Sequence, residues 1–236
     1  MSVRRLLGVA LVLSVMTSGA MSQEFCPPPP APPLAEGAKP AEAKPFVPPE
    51  VFNVQQVEGD ATLPEFVFVG DSLTGGLAAP KLEDRVFARA ATLLGGRSVR
   101  SLALSGRTST FIADKFRGVT DVPPDAVLVV WVGRNNVYPA EQVVADVRSI
   151  VSHAGVQRFL VLSVPPTNNP WEAPGEKNRL EVEALNDTLA ATFPDNFVSV
   201  GTGTTCADRA DTVHFAPSGQ AKIAAEVAAA VAARGW

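Results

Sequence analysis

The 236-residue sequence has few of the residues that several common functions need: it contains two histidines, two cysteines and one tyrosine. Aromatic residues make up only 7% of the chain, and the net charge is -4. A nucleic-acid-binding protein usually has aromatic side chains that stack on bases and a positively charged surface patch, and this composition argues against both. Two cysteines are also too few for a structural zinc site, which takes four close ligands. Because the sequence has no other metal-ligand cluster, we expect neither a metal ion nor another cofactor.

The two cysteines, Cys26 and Cys206, allow a single intramolecular pairing. In an exported protein such a pair can form a disulfide, which here would tie a segment near the start of the chain to a loop near its end. Two independent thiols are the alternative, because the sequence does not give the distance between them.

The apolar run at 6–16 is short for a membrane-spanning helix. It follows two arginines and precedes small residues that include Ala20, an order typical of a secretory signal peptide. We predict a signal peptide over 1–20, followed by export to the periplasm or the extracellular space with no stable membrane anchor after cleavage. A retained anchor is the alternative. The residues before Cys26 lack the small apolar character of a lipobox, which argues against lipidation.

The next part of the chain, 21–61, is rich in proline and alanine. Proline runs at 27–30 and 32–33 favour stiff polyproline II segments that build no core. We therefore predict a largely disordered linker or cell-envelope spacer over 21–61, with a proline-motif ligand as the alternative. A single folded domain then occupies 62–236.

Within that domain, strand-like and helix-like patterns alternate. We predict strands at 66–69, 99–104, 126–132, 159–164 and 196–200. Helical spacing appears at 82–94, 139–153, 176–193 and in the last residues, with a shorter crossover near 111–116. Such alternation indicates a parallel sheet covered on both faces. Right-handed crossovers then favour an α/β fold: a three-layer α/β/α sandwich around a doubly wound, five-stranded parallel sheet of flavodoxin-like order.

The first predicted strand ends in Gly70, Asp71 and Ser72. Ligands of open α/β sheets bind outside the carboxyl ends of the strands, so Ser72 is expected at the mouth of a site. No Lys-Ser or Lys-Thr pair follows the glycines at 75–76, which excludes a phosphate-binding P-loop. For this stretch alone, a solvated turn with an unreactive serine fits equally well.

A serine hydroxyl is a poor nucleophile unless a base lies within hydrogen-bond reach. Of the two histidines, His153 falls at the end of a predicted helix, where the helix dipole favours it. The other, His214, follows Asp211 by three residues in a loop before the last helix. At that spacing the carboxylate can turn back onto the imidazole, fix its tautomer and stabilise its charged form.

The reaction of a serine nucleophile also needs hydrogen-bond donors for a developing oxyanion. Candidate donors are the backbone N–H groups of Ser72 and Gly106 and the side-chain amide of Asn135, each of which follows a predicted strand. Taken singly, a turn glycine and a loop-capping asparagine would explain two of them.

In combination these residues resemble the SGNH, or GDSL, hydrolase family. Four motifs occur in the family's order: Gly70-Asp71-Ser72-Leu73, Gly106, Gly133-Arg134-Asn135-Asn136 and Asp211-Thr212-Val213-His214. The resemblance spans essentially the whole predicted domain. Four ordered motifs are far more specific than any one of them.

The resemblance implies a serine esterase. It makes Ser72 the nucleophile, His214 the general base and Asp211 the residue that orients the histidine, while Gly106 and Asn135 complete an oxyanion hole with Ser72. The nucleophile elbow of α/β-hydrolases is absent, because Thr74 stands where its last glycine would be.

One residue departs from the family pattern: Asn136 stands where the family usually has aspartate. That acid is not a member of the triad, so the departure is expected to alter local hydrogen bonding and to leave activity intact.

Several residues near these motifs are candidates for substrate binding: Asp71, Arg107, Arg134, Asn136 and Trp171. The two arginines adjoin oxyanion-hole positions and would favour an anionic or polyhydroxylated substrate. The tryptophan could stack on a sugar ring or simply anchor its loop.

We therefore predict an exported esterase that acts on short-chain acyl esters, chiefly acetyl esters, of a small molecule or polysaccharide. An acyltransferase using the same triad and a non-catalytic envelope-binding module are the alternatives. The oligomeric state is left open.

Overall fold

Residues 25–27 and 46–236 are described by the structure, a computed structural model of the chain. The predicted signal peptide and residues 21–24 and 28–45 of the predicted linker lie outside the described residues.

Six strands form one sheet, and five α-helices cover it. In chain order the strands are β1 Asn53–Val57, β2 Phe66–Gly70, β3 Val99–Ala103, β4 Val127–Trp131, β5 Arg158–Leu162 and β6 Phe197–Val198. The helices are α1 Val86–Leu93, α2 Ser109–Phe116, α3 Ala140–Ala154, α4 Lys177–Thr192 and α5 Pro217–Ala233. Short 3-10 turns occupy Leu82–Asp84, Pro170–Glu172 and Cys206–Asp208.

The sheet order is β1-β3-β2-β4-β5-β6. Strands β2 to β6 run parallel, and β1 pairs antiparallel with β3 at one edge. Every residue of the central strands β2 and β4 is buried, as their nearly continuous apolar sequences predict for strands covered on both faces. The five predicted parallel strands are confirmed.

Helices α1 and α5 pack together on one face of the sheet, and α2, α3 and α4 pack on the other. This arrangement is the predicted three-layer α/β/α sandwich. Glycine ends α3 where the pattern indicates: Gly155 takes a left-handed conformation with φ 66° directly after the last helical residue, which a residue with a Cβ adopts only at a cost.

The predicted boundary of the folded domain is wrong at its amino-terminal side. Residues 53–57, placed in the linker by the sequence, form the edge strand β1. Its sequence, Asn-Val-Gln-Gln-Val, is mostly polar and much of it is solvent-exposed. Backbone pairing with β3 holds it in place, and polar edge strands of this kind give a weak hydrophobic pattern.

Cys26 and Cys206 form a disulfide, with their Cα atoms 5.4 Å apart. The backbone N–H of Cys26 also donates a hydrogen bond to Asn168 Oδ1 at 3.1 Å. The segment that precedes the proline-rich stretch is therefore fastened to two loops at the carboxyl ends of the strands.

Across residues 25–27 and 46–236, no helix has both the length and the apolar character that crossing a bilayer requires.

Removing the disulfide should destabilise the fold substantially. The cysteines are separated by 180 positions, and loss of so long a cross-link frees a large unfolded-state entropy, worth about 2–5 kcal/mol. We expect the double variant Cys26→Ala/Cys206→Ala to lose this amount of unfolding free energy in urea titrations. Reduced wild-type protein is the matched control and should unfold at the same urea concentration as the variant. Identical midpoints for oxidised wild type and variant would contradict the prediction.

Candidate active site

Ser72 stands two residues beyond the end of β2 and is 6% exposed. The strands on either side of β2 are β3 and β4, so the chain leaves β2 in one direction and later returns to its other side. In a doubly wound sheet, the crevice at such a reversal is where ligands bind. The topology therefore places Ser72 at the predicted mouth of the sheet.

Close packing against β4 fixes the turn that carries Ser72. A Cβ on Gly70 would lie 2.0 Å from the carbonyl oxygen of Trp131 and 2.2 Å from Thr74 Oγ1, so only glycine fits there. Asp71 Oδ1 accepts a hydrogen bond from the Leu73 N–H at 3.0 Å. The serine is thus presented by a turn with little freedom to move.

The imidazole of His214 bridges Ser72 and Asp211. Its Nε2 lies 2.9 Å from Ser72 Oγ, and its Nδ1 lies 2.8 Å from Asp211 Oδ2. Because a carboxylate only accepts hydrogen bonds, Nδ1 carries the proton and neutral Nε2 is left to accept one from the serine hydroxyl. This is the geometry that the spacing of the two motifs predicts.

Asp211 is held as an anion beside the histidine. Burial acts to raise the pKa of Asp211, but hydrogen bonds from the backbone and side chain of His214 and from the Val213 N–H outweigh it and lower the pKa. The two backbone bonds to Oδ1 measure 2.6 Å from His214 and 2.7 Å from Val213. An ionised carboxylate in this position orients the imidazole and stabilises its charged form.

Arg209 anchors the loop that carries His214, a role that the sequence did not reveal. Its guanidinium donates to the carbonyls of Val213 at 2.6 Å and Pro166 at 2.8 Å, and it lies 4.0 Å from the centre of the Phe215 ring. Burial lowers the pKa of Arg209 to about 10, which still leaves it charged at neutral pH. Its position two residues before Asp211 was the only available signal.

The candidate oxyanion donors lie in loops that directly follow adjacent strands. Gly106 follows β3 with φ 74°, and Asn135 follows β4. In the described part of the chain, the backbone N–H groups of Ser72 and Gly106 donate to no protein acceptor. Asn135 Nδ2 donates to the Arg107 carbonyl at 3.0 Å and has a longer contact of 3.4 Å with Asp71 Oδ2. Three donors are therefore grouped at the ends of neighbouring strands.

Asp71, a candidate substrate-binding residue, is 1% exposed and faces the protein interior. Burial raises the pKa of Asp71 to about 6, against the opposing effects of the Leu73 N–H, the charges of Arg134 and His214 and the Arg134 N–H. Its contacts with Leu73 and Asn135 make it a support for the serine turn and the neighbouring loop. Direct contact of Asp71 with substrate stays a prediction.

Asn136, the residue that departs from the family pattern, caps the amino terminus of α2. Its Oδ1 accepts from the Ser109 N–H, and its Nδ2 donates to Ser109 Oγ, both at 2.8 Å. The serine hydroxyl in turn donates to the buried Asp146 at 2.6 Å. Both the oxygen and the nitrogen of the amide therefore bond within the protein, and contact of Asn136 with substrate stays a prediction.

Both candidate arginines are engaged by protein groups. Arg134 forms a nearly buried ion pair with Glu172 and donates to the Pro165 carbonyl at 2.9 Å. Arg107 pairs with Glu50 and lies 4.2 Å from the centre of the Phe111 ring. Their binding of an anionic or polyhydroxylated substrate stays a prediction.

Trp171 differs from the other candidates because it is 58% exposed. It lies in the turn Pro170–Glu172, beside the Glu172 that pairs with Arg134. The indole is therefore open to solvent, while the next residue, Glu172, is held by its ion pair.

Among the residues that the structure describes, no group of three or more His, Cys, Asp or Glu side chains is placed to hold a metal ion.

Comparison with known proteins identifies a family for most of the described chain. The model of the GDSL-like Lipase/Acylhydrolase family matches residues 68–222. No curated protein matches the sequence significantly.

Solved structures share the fold at low sequence identity. A provisionally assigned arylesterase from Agrobacterium tumefaciens strain C58 is 22% identical, with a TM-score of 0.58 over 72% of this chain and 99% of its own. The carbohydrate acetylesterase Est24 from Sinorhizobium meliloti is 20% identical, with a TM-score of 0.56 over 73% and 100%. A catalytic mutant of an acetylxylan esterase from Geobacillus stearothermophilus is 16% identical, with a TM-score of 0.57 over 74% and 95%.

The raised pKa of Asp71 should be visible as a pH dependence of stability. The ordinary value is 3.8 and the folded value about 6, so between them the folded chain keeps a proton that the unfolded chain has released. The contribution of Asp71 to stability therefore falls as pH rises through this window, by roughly 3 kcal/mol.

Carboxyl-carbon NMR of labelled protein measures the titration directly, with Asp71→Asn identifying the signal. We expect a midpoint near pH 6 for Asp71. A midpoint at or below that of an exposed aspartate would show that the prediction is wrong.

Proposed function

The chain belongs to the GDSL-like Lipase/Acylhydrolase family and is an ester hydrolase, and we propose that Ser72, His214 and Asp211 carry out its reaction on short-chain acyl esters of a carbohydrate. The observation that carries this proposal is the continuous hydrogen-bond chain from Ser72 Oγ through both imidazole nitrogens to Asp211. A hydroxyl is activated as a nucleophile when a positioned base accepts its proton and a third group orients that base.

In the first half of the reaction, Ser72 Oγ attacks the ester carbonyl carbon as His214 Nε2 takes the hydroxyl proton. Asp211 stabilises the imidazolium that forms. The carbonyl oxygen becomes an oxyanion that accepts hydrogen bonds from the Ser72 and Gly106 N–H groups and from Asn135 Nδ2. The amide hydrogen of Asn135 that faces Asp71 across 3.4 Å makes only a weak bond there and can serve the oxyanion.

In the second half, the tetrahedral intermediate collapses and His214 gives its proton to the departing alcohol oxygen. An acyl group is left on Ser72. Water then enters and attacks the acyl carbon as it loses a proton to His214. The second tetrahedral intermediate collapses, His214 returns that proton to Ser72 Oγ, and the carboxylic acid is released.

A carbohydrate ester is supported by two kinds of observation. The exposed indole of Trp171 offers an aromatic face of the kind that stacks on sugar rings. Two proteins with the same fold, from Sinorhizobium meliloti and Geobacillus stearothermophilus, are a carbohydrate acetylesterase and an acetylxylan esterase. We propose an acetylated sugar or polysaccharide as the substrate class.

Export is supported by the pattern over 1–20 and by the disulfide between Cys26 and Cys206. Structural disulfides persist in oxidising compartments such as the periplasm and the extracellular space. We propose that the protein works there, free of a membrane anchor after signal cleavage.

Alanine at Ser72 or His214 should abolish ester turnover. Each removes a member of the hydrogen-bonded unit, so we expect kcat for p-nitrophenyl acetate to fall by at least about 10³-fold in either single variant. A fluorophosphonate probe should label wild type and spare Ser72→Ala.

The chain offers a matched control in its other histidine. His153 bonds to the Val119 carbonyl and packs on Phe116, so His153→Ala should keep the wild-type kcat. Near-normal turnover in Ser72→Ala, or equal losses in the two histidine variants, would refute the assignment.

A substrate panel should favour acetylated sugars over longer acyl esters and aryl esters. If Trp171 stacks on the sugar, Trp171→Ala should raise KM for sugar acetates several-fold and leave kinetics with p-nitrophenyl acetate unchanged. Trp171→Phe keeps an aromatic ring and should have a KM for sugar acetates close to that of wild type. Mass spectrometry of the products separates hydrolysis from transfer when a sugar acceptor is added.

If more acyl groups are transferred to the sugar acceptor than are released by hydrolysis, the protein is an acyltransferase that uses the same triad. Sugar binding without any turnover, and with no probe labelling, would instead indicate a non-catalytic envelope-binding module.

A further inference from the structure

A segment upstream of β1 is fixed against the oxyanion-hole loop by Arg107. The guanidinium of Arg107 donates to the carbonyls of Pro48 and Pro49, each at 2.7 Å, and forms an ion pair with Glu50. Stacking against Phe111 on α2 holds the guanidinium from the other side. Arg107 directly follows Gly106, so this clamp attaches residues 46–50 beside an oxyanion donor.

The same segment brings an aromatic ring onto Gly106. A Cβ on Gly106 would lie 2.6 Å from Cε1 and 3.3 Å from Cζ of Phe46, so the edge of the ring contacts the glycine. Phe46 is nevertheless 67% exposed and belongs to neither core cluster. Its burial therefore contributes little to stability, and most of the residue is accessible from solvent.

The sheet order indicates which part of an ester lies near Phe46. The His214 loop is joined to the loop after β5, because the Asn168 N–H donates to the Thr212 carbonyl at 2.7 Å and Arg209 donates to the Pro166 carbonyl. Strand β5 lies beyond β4, on the opposite side of β2 from β3. The departing alcohol oxygen must reach His214 Nε2 to receive its proton, so the alcohol extends toward the β5 side.

The acyl group is then directed to the other side, toward β3 and β1. A cavity of about 310 Å³ lies there, lined by residues that include Leu77, Ala78, Asn53 and Ser105. One lining residue, Ser105, directly precedes Gly106, on which the ring of Phe46 packs. The ring therefore contacts the loop that also borders this cavity, and that loop follows β3.

We propose that Phe46 is a specificity-determining residue that bounds the acyl side of the site and restricts the enzyme to short acyl groups. The proposal rests on the ester-hydrolase function assigned to Ser72. The segment that precedes the α/β domain thereby supplies part of the active-site wall, and Arg107 is the positioning residue that holds the segment in place.

Acyl chain-length profiles test this directly. For p-nitrophenyl acetate, butyrate, hexanoate and octanoate, we expect Phe46→Ala to raise the hexanoate-to-acetate ratio of kcat/KM by about tenfold or more, since each methylene accommodated in an apolar site changes the ratio appreciably. Phe46→Trp, which keeps a bulky ring, should hold the ratio at or below that of wild type. The ratio is insensitive to a general loss of folded protein, which lowers both rates equally.

Val47→Ala is the matched control, because Val47 is the next residue in the same segment and is 81% exposed. It should leave the profile unchanged. If wild type is active and Phe46→Ala has the same hexanoate-to-acetate ratio of kcat/KM, or if Val47→Ala changes that ratio equally, the role of Phe46 is refuted. The esterase function would not be affected by that result. A wild type that turns over none of the esters and escapes the fluorophosphonate probe would instead overturn the proposed function on which it rests.

Discussion

The hydrogen bond between Ser72 and His214 joins residues 142 positions apart across 2.9 Å, and the chemistry depends on both loops being held to that distance. On the serine side, the glycine at position 70 lets the turn pack directly against the backbone of β4. On the histidine side, Arg209 and a backbone bond from Ala210 to His214 hold the loop. Close packing continues into α5, where a Cβ on Gly219 would lie 2.5 Å from the Asp208 carbonyl oxygen.

Two carboxyl groups near the serine have pKa values shifted in opposite directions, and the environment of each explains the difference. Asp71 is fully buried with few donors, so burial prevails and its pKa rises. Asp211 is half-exposed and accepts three short hydrogen bonds, so its pKa falls despite burial. When the environments of two neighbouring acids shift their pKa values apart, the two acids serve different roles. Asp211 remains charged and stabilises the imidazole, whereas Asp71 holds the serine turn and contacts the amide of Asn135.

Much of the fold and of the central site could be predicted because both are encoded in local patterns. The buried strands are apolar runs that end in glycine or polar residues, and the order of the motifs then brings distant residues to one edge of the sheet. Strand β1 was missed because its side chains are largely polar and its stability comes from pairing with β3. The partners of Arg134 and Arg107 are 38 and 57 positions away, and no local pattern reveals such pairings. The contact between Phe46 and Gly106 was hidden for the same reason.

The cap formed by Asn136 has a consequence for how this part of the chain can evolve. The Ser109 hydroxyl has one proton, which it donates to Asp146, and it receives one hydrogen from the amide of Asn136. An aspartate at 136 would offer no hydrogen to that hydroxyl and would place a second negative charge across it from Asp146. Asn136 and Asp146 therefore place only one negative charge at this hydroxyl, and an aspartate at 136 would be tolerated only if one of the two carboxyl groups were neutral.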